Sequence, residues 1–174
     1  MKKSRTTEDI TLMKAGPDEV KGIARVCSEG WRATYGYLED ESYVNSVIEE
    51  YYNEKRIENE VTEFSENWHG YFVAKEDGEV AGAIGGGTIG EEIGEIFVFY
   101  MDPNKRNRGI GSKLLNYYTD YQKNIGIKEQ WLSAQKGNEK AIPFYEAKGF
   151  IKQSEKISES SKTHVSIRYM RHIE

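Results

Sequence analysis

Residues 93–115 read IGEIFVFYMDPNKRNRGIGSKLL, and a strand, a loop and a helix are legible in that one stretch. Ile93 to Met101 is rich in β-branched and aromatic side chains and stops at Asp102-Pro103, as a buried strand does. Leu114 and Leu115 open an apolar stripe that runs at helical spacing through Tyr118 to Ile125 and is closed by Gly126. Between the two lies Arg106-Asn107-Arg108-Gly109-Ile110-Gly111-Ser112. The backbone amides of a loop that feeds a helix N-terminus converge on one point and favour an anion there. Gly109 and Gly111 place no Cβ in the way, and Arg106 and Arg108 add charge-assisted hydrogen bonds. Loop chemistry alone fits either a phosphate site or a solvated basic turn. It does not fit a Walker A loop, which needs Gly-Lys-Ser/Thr where this chain has Gly111-Ser112-Lys113.

Upstream, Tyr71 to Lys75 and Val80 to Ile84 read as two strands joined tightly at Asp77-Gly78. Gly85 to Gly90 matches the dinucleotide pattern GxGxxG, but a strand follows it where that motif needs a helix, so it reads as a β-turn or strand end. Ile10 to Lys14 alternates as a short strand, and Gly16-Pro17-Asp18 starts a helix with Val20, Ile23, Ala24 and Cys27 on one face. Trp31 to Tyr37 is expected to interrupt as an aromatic loop, before a second helix from Asp40 or Ser42 to about Val61. Downstream, Glu129 to Ala134 is a strand and Asn138 to Lys148 a short helix, whose first turns Pro143 should bend. Phe150 to Lys156 and Thr163 to Arg171 are the closing strands. The order βααβββαβαββ is that of an α/β mixed sheet.

The chain has 174 residues, 37% hydrophobic and 30% charged, which suits one globular domain over residues 1–174 with 1–9 as a flexible N-terminal tail. A lone Cys27 and three scattered histidines offer neither an internal disulfide nor a metal-ligand set, so no metal is expected. No stretch approaches the ~20 apolar residues that span a bilayer, and no leader is legible, so a cytoplasmic protein without membrane contact is expected. With 24 basic against 29 acidic residues the net charge of −5 argues against nucleic acid as a partner. The charge is uneven: Glu39 to Glu66 carries a local net of −8, while Lys105 to Lys113 has four cations and no acid.

In these residues the chain resembles the GNAT superfamily of acyl-CoA-dependent N-acetyltransferases. Arg106-x-x-Gly109-x-Gly111 is similar to that family's pyrophosphate motif, and it follows Tyr100-Met101-Asp102-Pro103, similar to the end of the family's cofactor strand. Asn138 to Phe150 resembles its second signature, with Asn138, Ala141, Tyr145 and Gly149-Phe150 at the family's offsets. The resemblance runs from Ile10 to His172 and is weakest between Trp31 and Trp68. It implies a GNAT-like single-domain mixed sheet whose central parallel strands, Glu95 to Met101 and Glu129 to Ala134, splay apart to admit the pantetheine arm of acetyl-CoA. It further implies cofactor contacts from Phe99, Tyr100 and Met101, from Arg106, Asn107, Arg108, Gly109, Ile110, Gly111 and Ser112, and from Asn138 and Tyr145.

By the same resemblance Tyr145 is the general acid for the departing thiolate, with the Phe99 amide as oxyanion donor. Glu95 is similar to the base glutamate of the histone-acetyltransferase branch, with a water chain as the alternative base. Trp31 and Tyr35 fall in the region that resembles the acceptor lid, where they would bind an alkyl amine or plug the core beneath. The implied activity is direct acetyl transfer from acetyl-CoA to a primary amine of a small molecule or peptide; the rival is a non-catalytic acyl-CoA-binding module, which has no need of Tyr145. A homodimer is left open. Cys27 is expected as a buried free thiol.

Overall fold

The computed structural model describes residues 10–105, 108–157 and 164–174. The tail expected over residues 1–9, and Arg106 and Asn107 of the basic loop, lie outside the described residues. Among the described residues seven strands pair into one mixed sheet: β1 (Ile10–Lys14), β2 (Tyr71–Glu76), β3 (Glu79–Gly90), β4 (Ile93–Met101), β5 (Glu129–Gln135), β6 (Ile151–Ile157) and β7 (Val165–His172), in the spatial order β1-β2-β3-β4-β5-β7-β6. Five helices accompany them: α1 (Val20–Tyr35), α2 (Glu41–Tyr51), α3 (Glu54–Glu60), α4 (Ile110–Asn124) and α5 (Ala141–Ala147). Of these strands only β4 and β5 run parallel, and the α4 crossover makes that possible. No helix among the described residues is long and apolar enough to cross a membrane.

Alternation along the strands divides the apolar residues between two cores. On one face Leu114, Leu115 and Tyr118 of α4 pack on Phe72, Ile84, Ile96 and Leu132. On the other, Ile23, Val26 and Cys27 of α1, with Ile57 of α3, pack on Val73, Ala83 and Val98. Asp77 and Gly78 both have positive φ (52° and 82°), the requirement of the tight hairpin read from the sequence.

Three local expectations are corrected. The single helix expected from Asp40 to Val61 is two helices, because the Asn53 side chain accepts from the Arg56 amide at 2.8 Å and starts α3 anew. Trp31 and Tyr35 lie not in a loop but on the last turns of α1, which continues through Gly30. A Cβ at Gly30 would meet Cβ of Tyr100 at 2.8 Å, so this glycine serves close helix-on-sheet packing rather than helix termination. The glycine run is not a turn but the second half of β3, which ends at Gly90, and it is buried from Gly85 to Gly87. There the chain entering β2 crosses over it: the His69 amide donates to Gly86 O at 2.8 Å, and the Thr88 amide to Glu66 O at 2.9 Å. A Cβ at Gly86 or Gly87 would stand 1.9 Å from the carbonyl of Glu95 or Asn67, respectively. Pro143 is the third residue of α5, where backbone donors have no intrahelical partner in any case, so it costs the helix no bond.

Candidate active site

β4 and β5 pair from Ile93 opposite Glu129 to Ile96 opposite Leu132, and then part. Each strand continues along its outer neighbour, β4 to Met101 beside β3 and β5 to Gln135 beside β7. The separation begins at a bulge: Val98 faces Gly85 and Ile96 faces Gly86, leaving Phe97 unmatched. A bulge bends and twists its strand, here away from β5. The Asp102 amide donates to Ala81 O at 2.8 Å, so the peptide groups of alternate residues also point toward β3. Phe99 and Met101 therefore direct their N–H and C=O groups the other way, into the gap.

The gap is part of a cleft of about 630 Å³. One end is the basic loop: Lys105, Arg108, Gly109, Gly111 and Ser112 line it where α4 begins. Gly109 has φ 74°, a left-handed conformation that suits glycine and turns the loop into the helix. The Arg108 side chain lines the cleft but donates from Nη1 to Glu76, at 2.9 and 3.1 Å.

The other end is aromatic. Tyr145 of α5 lies against Phe99, Phe144 and Phe150, with ring centroids 5.6–6.4 Å apart. Burial raises its phenol well above the ordinary tyrosine value, with Tyr35 adding to the effect. Asn138, also lining the cleft, accepts from the Ala141 amide at 3.1 Å through Oδ1 and so anchors the start of α5. Tyr35 lines the cleft from the α1 side, its phenol raised to about 12 by burial. Trp31 does not line it: the indole packs behind Tyr35 at 4.1 Å and against Tyr52 and Tyr100, each at 6.3 Å. Tyr100 turns its ring into that cluster, against Trp31 and Tyr52.

Glu95 stands on the sheet face opposite α4, since its neighbour Ile96 packs on the α4 side. It is bound by Arg168 of β7, whose two terminal nitrogens donate to its two oxygens at 2.8 and 2.9 Å. Arg168 also donates to Ser133 Oγ, a cleft residue, at 2.9 Å and lies over the Trp131 ring. Nearby, His164 Nε2 is 3.0 Å from Glu39 Oε1, tying the α1–α2 connection to the start of β7. Sequence reasoning missed Glu76, Ser133, His164 and Arg168. Each reaches the site through strand pairing between distant segments, and no local motif marks them.

The acetyltransferase (GNAT) family model matches residues 31–150, which is most of the chain. Among relatives, the chain is 28% identical over 142 residues to a spermidine N(1)-acetyltransferase of Thermoplasma acidophilum, covering 81% of this chain and 88% of the relative. It is 30% identical over 99 residues to a mycothiol acetyltransferase of Acidimicrobium ferrooxidans, covering 53% of this chain and 32% of that one. Among solved structures, the PaiA N-acetyltransferase from Thermoplasma acidophilum in complex with coenzyme A superimposes with a TM-score of 0.77 at 24% identity, covering 91% of this chain and 97% of that one. The chain belongs to the GNAT acetyltransferase family.

Proposed function

We propose that the chain transfers an acetyl group from acetyl-CoA directly to a primary amine of a small molecule or peptide, within a ternary complex. The observation that carries this reading is the β4–β5 cleft, with unpaired strand edges at its centre, helix amides and cations at one end and a buried phenol at the other. An extended pantetheine arm would pair with Phe99 and Met101 as an added strand pairs with a sheet edge, with Asn138 beside it. The loop, with Arg106 and Asn107 belonging to the same proposed site as Arg108, Gly109, Ile110, Gly111 and Ser112, would receive the pyrophosphate.

Acetyl-CoA, when bound, supplies the thioester. The Phe99 amide faces the gap and stabilises negative charge developing on the thioester oxygen. Tyr145, kept neutral by burial, donates its proton to the departing sulfur. Glu95, its carboxylate oriented by Arg168, takes the proton of the amine through a water. Tyr35 walls the acceptor side and Trp31 braces it from behind. A small-molecule amine as acceptor is supported by the spermidine N(1)-acetyltransferase relative.

The test is release of free thiol from acetyl-CoA across a panel of monoamines, diamines, polyamines, amino acids and peptides. Acetylation of at least one class is expected. Binding of acetyl-CoA without turnover on any of them favours the non-catalytic binding module.

A further inference from the structure

Beneath the basic loop lies a carboxylate to which the proposed reaction gives no role. Glu76 ends β2 on the face it shares with Phe72 and Ala74, so strand alternation delivers it under the loop that opens α4. It is only 4% exposed. Arg108 Nη1 donates to both of its oxygens, at 2.9 and 3.1 Å, and Lys105 Nζ lies 3.8 Å from Oε1. A second buried carboxylate, Asp102, fixes the strand side of the same loop by accepting from the Asn104 amide at 2.9 Å and from Arg25 at 3.0 Å. Two of the cations nearest the helix N-terminus are thus held from below by an acid.

A buried carboxylate beside an anion site repels the anion unless its charge is committed elsewhere. We propose that Glu76 is a positioning residue for coenzyme A: it latches Arg108 and Lys105, and the latch keeps the amides from Gly109 to Ser112 aimed into the cleft. Arg108 acts in this arrangement as the latch arm rather than as a direct phosphate ligand. The inference rests on the reading that this loop receives the pyrophosphate.

Charge alone and the latch give opposite signs. Removing a negative charge near the pyrophosphate by Glu76→Gln should tighten coenzyme A binding if charge is all that matters. The latch makes the same substitution weaken it. Calorimetric titration with coenzyme A is expected to show Kd raised about 10-fold by Glu76→Gln and by Arg108→Ala, with the double variant no worse than Glu76→Gln alone, since that substitution already removes the Arg108 arm of the latch. For Glu76→Gln, KM for acetyl-pantetheine, which lacks the pyrophosphate, and kcat at saturating acetyl-CoA should stay at wild-type values.

Binding by Glu76→Gln as tight as wild type or tighter overturns the proposal, as do additive losses in the double variant. An equal loss toward acetyl-pantetheine overturns it by reducing Glu76 to a residue of general stability. A wild-type crystal structure with coenzyme A is a second test that needs no variant to fold: Arg108 is expected still on Glu76, and Arg108 turned onto the phosphates refutes the latch. Failure of the wild type to bind coenzyme A is a separate result, which removes the underlying reading and the latch with it.

Discussion

At the scale of single residues, Tyr145 and His69 carry the sharpest expectations. The Tyr145 phenol sits in an aromatic pocket that raises its proton affinity, so at neutral pH it is a donor. Tyr145→Phe keeps the ring and removes the hydroxyl; cofactor affinity should hold while single-turnover acetylation slows by ~10²-fold, within the range of general acid catalysis. Acetylation at the wild-type rate would make Tyr145 a packing residue. His69 lies in the α4-side core, with its ring nitrogens 2.9 Å from the Tyr118 and Thr88 hydroxyls. Burial, and then the charge of Lys14, lowers its pKa below the ordinary 6.5. The unfolded chain therefore binds the proton more readily, so the stability that neutral His69 contributes is complete above about pH 6.5 and is lost as pH falls through the lowered folded value. His69→Gln should flatten the fall of Tm below about pH 6.5, and an unchanged slope would assign that fall to other groups. Tyr145 was legible in the sequence because its motif is contiguous. Glu76 and Arg168 were not, because β2 and β7 bring them in from far along the chain.

At the scale of elements, the β3 glycines show what hydrophobic periodicity cannot report. A stripe of apolar residues reveals a strand or a helix face, but not the closeness of the chain crossing it. In β3 that closeness is set by residues 66–69, whose backbone pairs with Gly86 and Thr88. Gly87→Ala would place a Cβ 1.9 Å from Asn67 O, a backbone atom that moves only with its loop. The expected cost is ~3 kcal/mol, the scale of overpacking a close-packed site. Gly78→Ala, at φ 82° with open space around it, should cost only ~1 kcal/mol of backbone strain. Denaturant midpoints measured on both variants with unchanged m-values check the order, and equal losses would refute the crossing as the cause. The break between α2 and α3 is hidden from periodicity for a related reason. The apolar stripe passes through Tyr51 and Tyr52, while a single capping bond from Asn53 decides where the second helix starts.

At the scale of the molecule, the crossover from β4 through α4 to β5 was legible because its strand, loop and helix are consecutive in sequence. The order β5-β7-β6 at the far edge was not, since it depends on which strand β5 accepts. Charge distribution also belongs to this scale. The segment from Glu39 to Glu66 holds a local net of −8 in a chain of net −5, and the structure places one end of it near the cleft. Glu39, however, faces His164 and Glu95 is bound by Arg168, so these two carboxylates are already partnered. What remains is the field of the exposed acids on α2 and α3, which attracts cations at long range and is screened beyond ~8 Å at physiological ionic strength. A diamine should therefore exceed a monoamine of similar length in kcat/KM by about 3-fold to 10-fold at low salt, with the advantage shrinking toward unity at high salt. Measuring the pair at both ionic strengths separates the charge effect from the alkyl contribution. A diamine advantage that survives high salt would mean a direct ion pair in the cleft, with Glu95 released from Arg168. A monoamine used as well as the diamine at low salt would refute the long-range field, while the acetyl-transfer reading, which rests on the β4–β5 cleft, would stand.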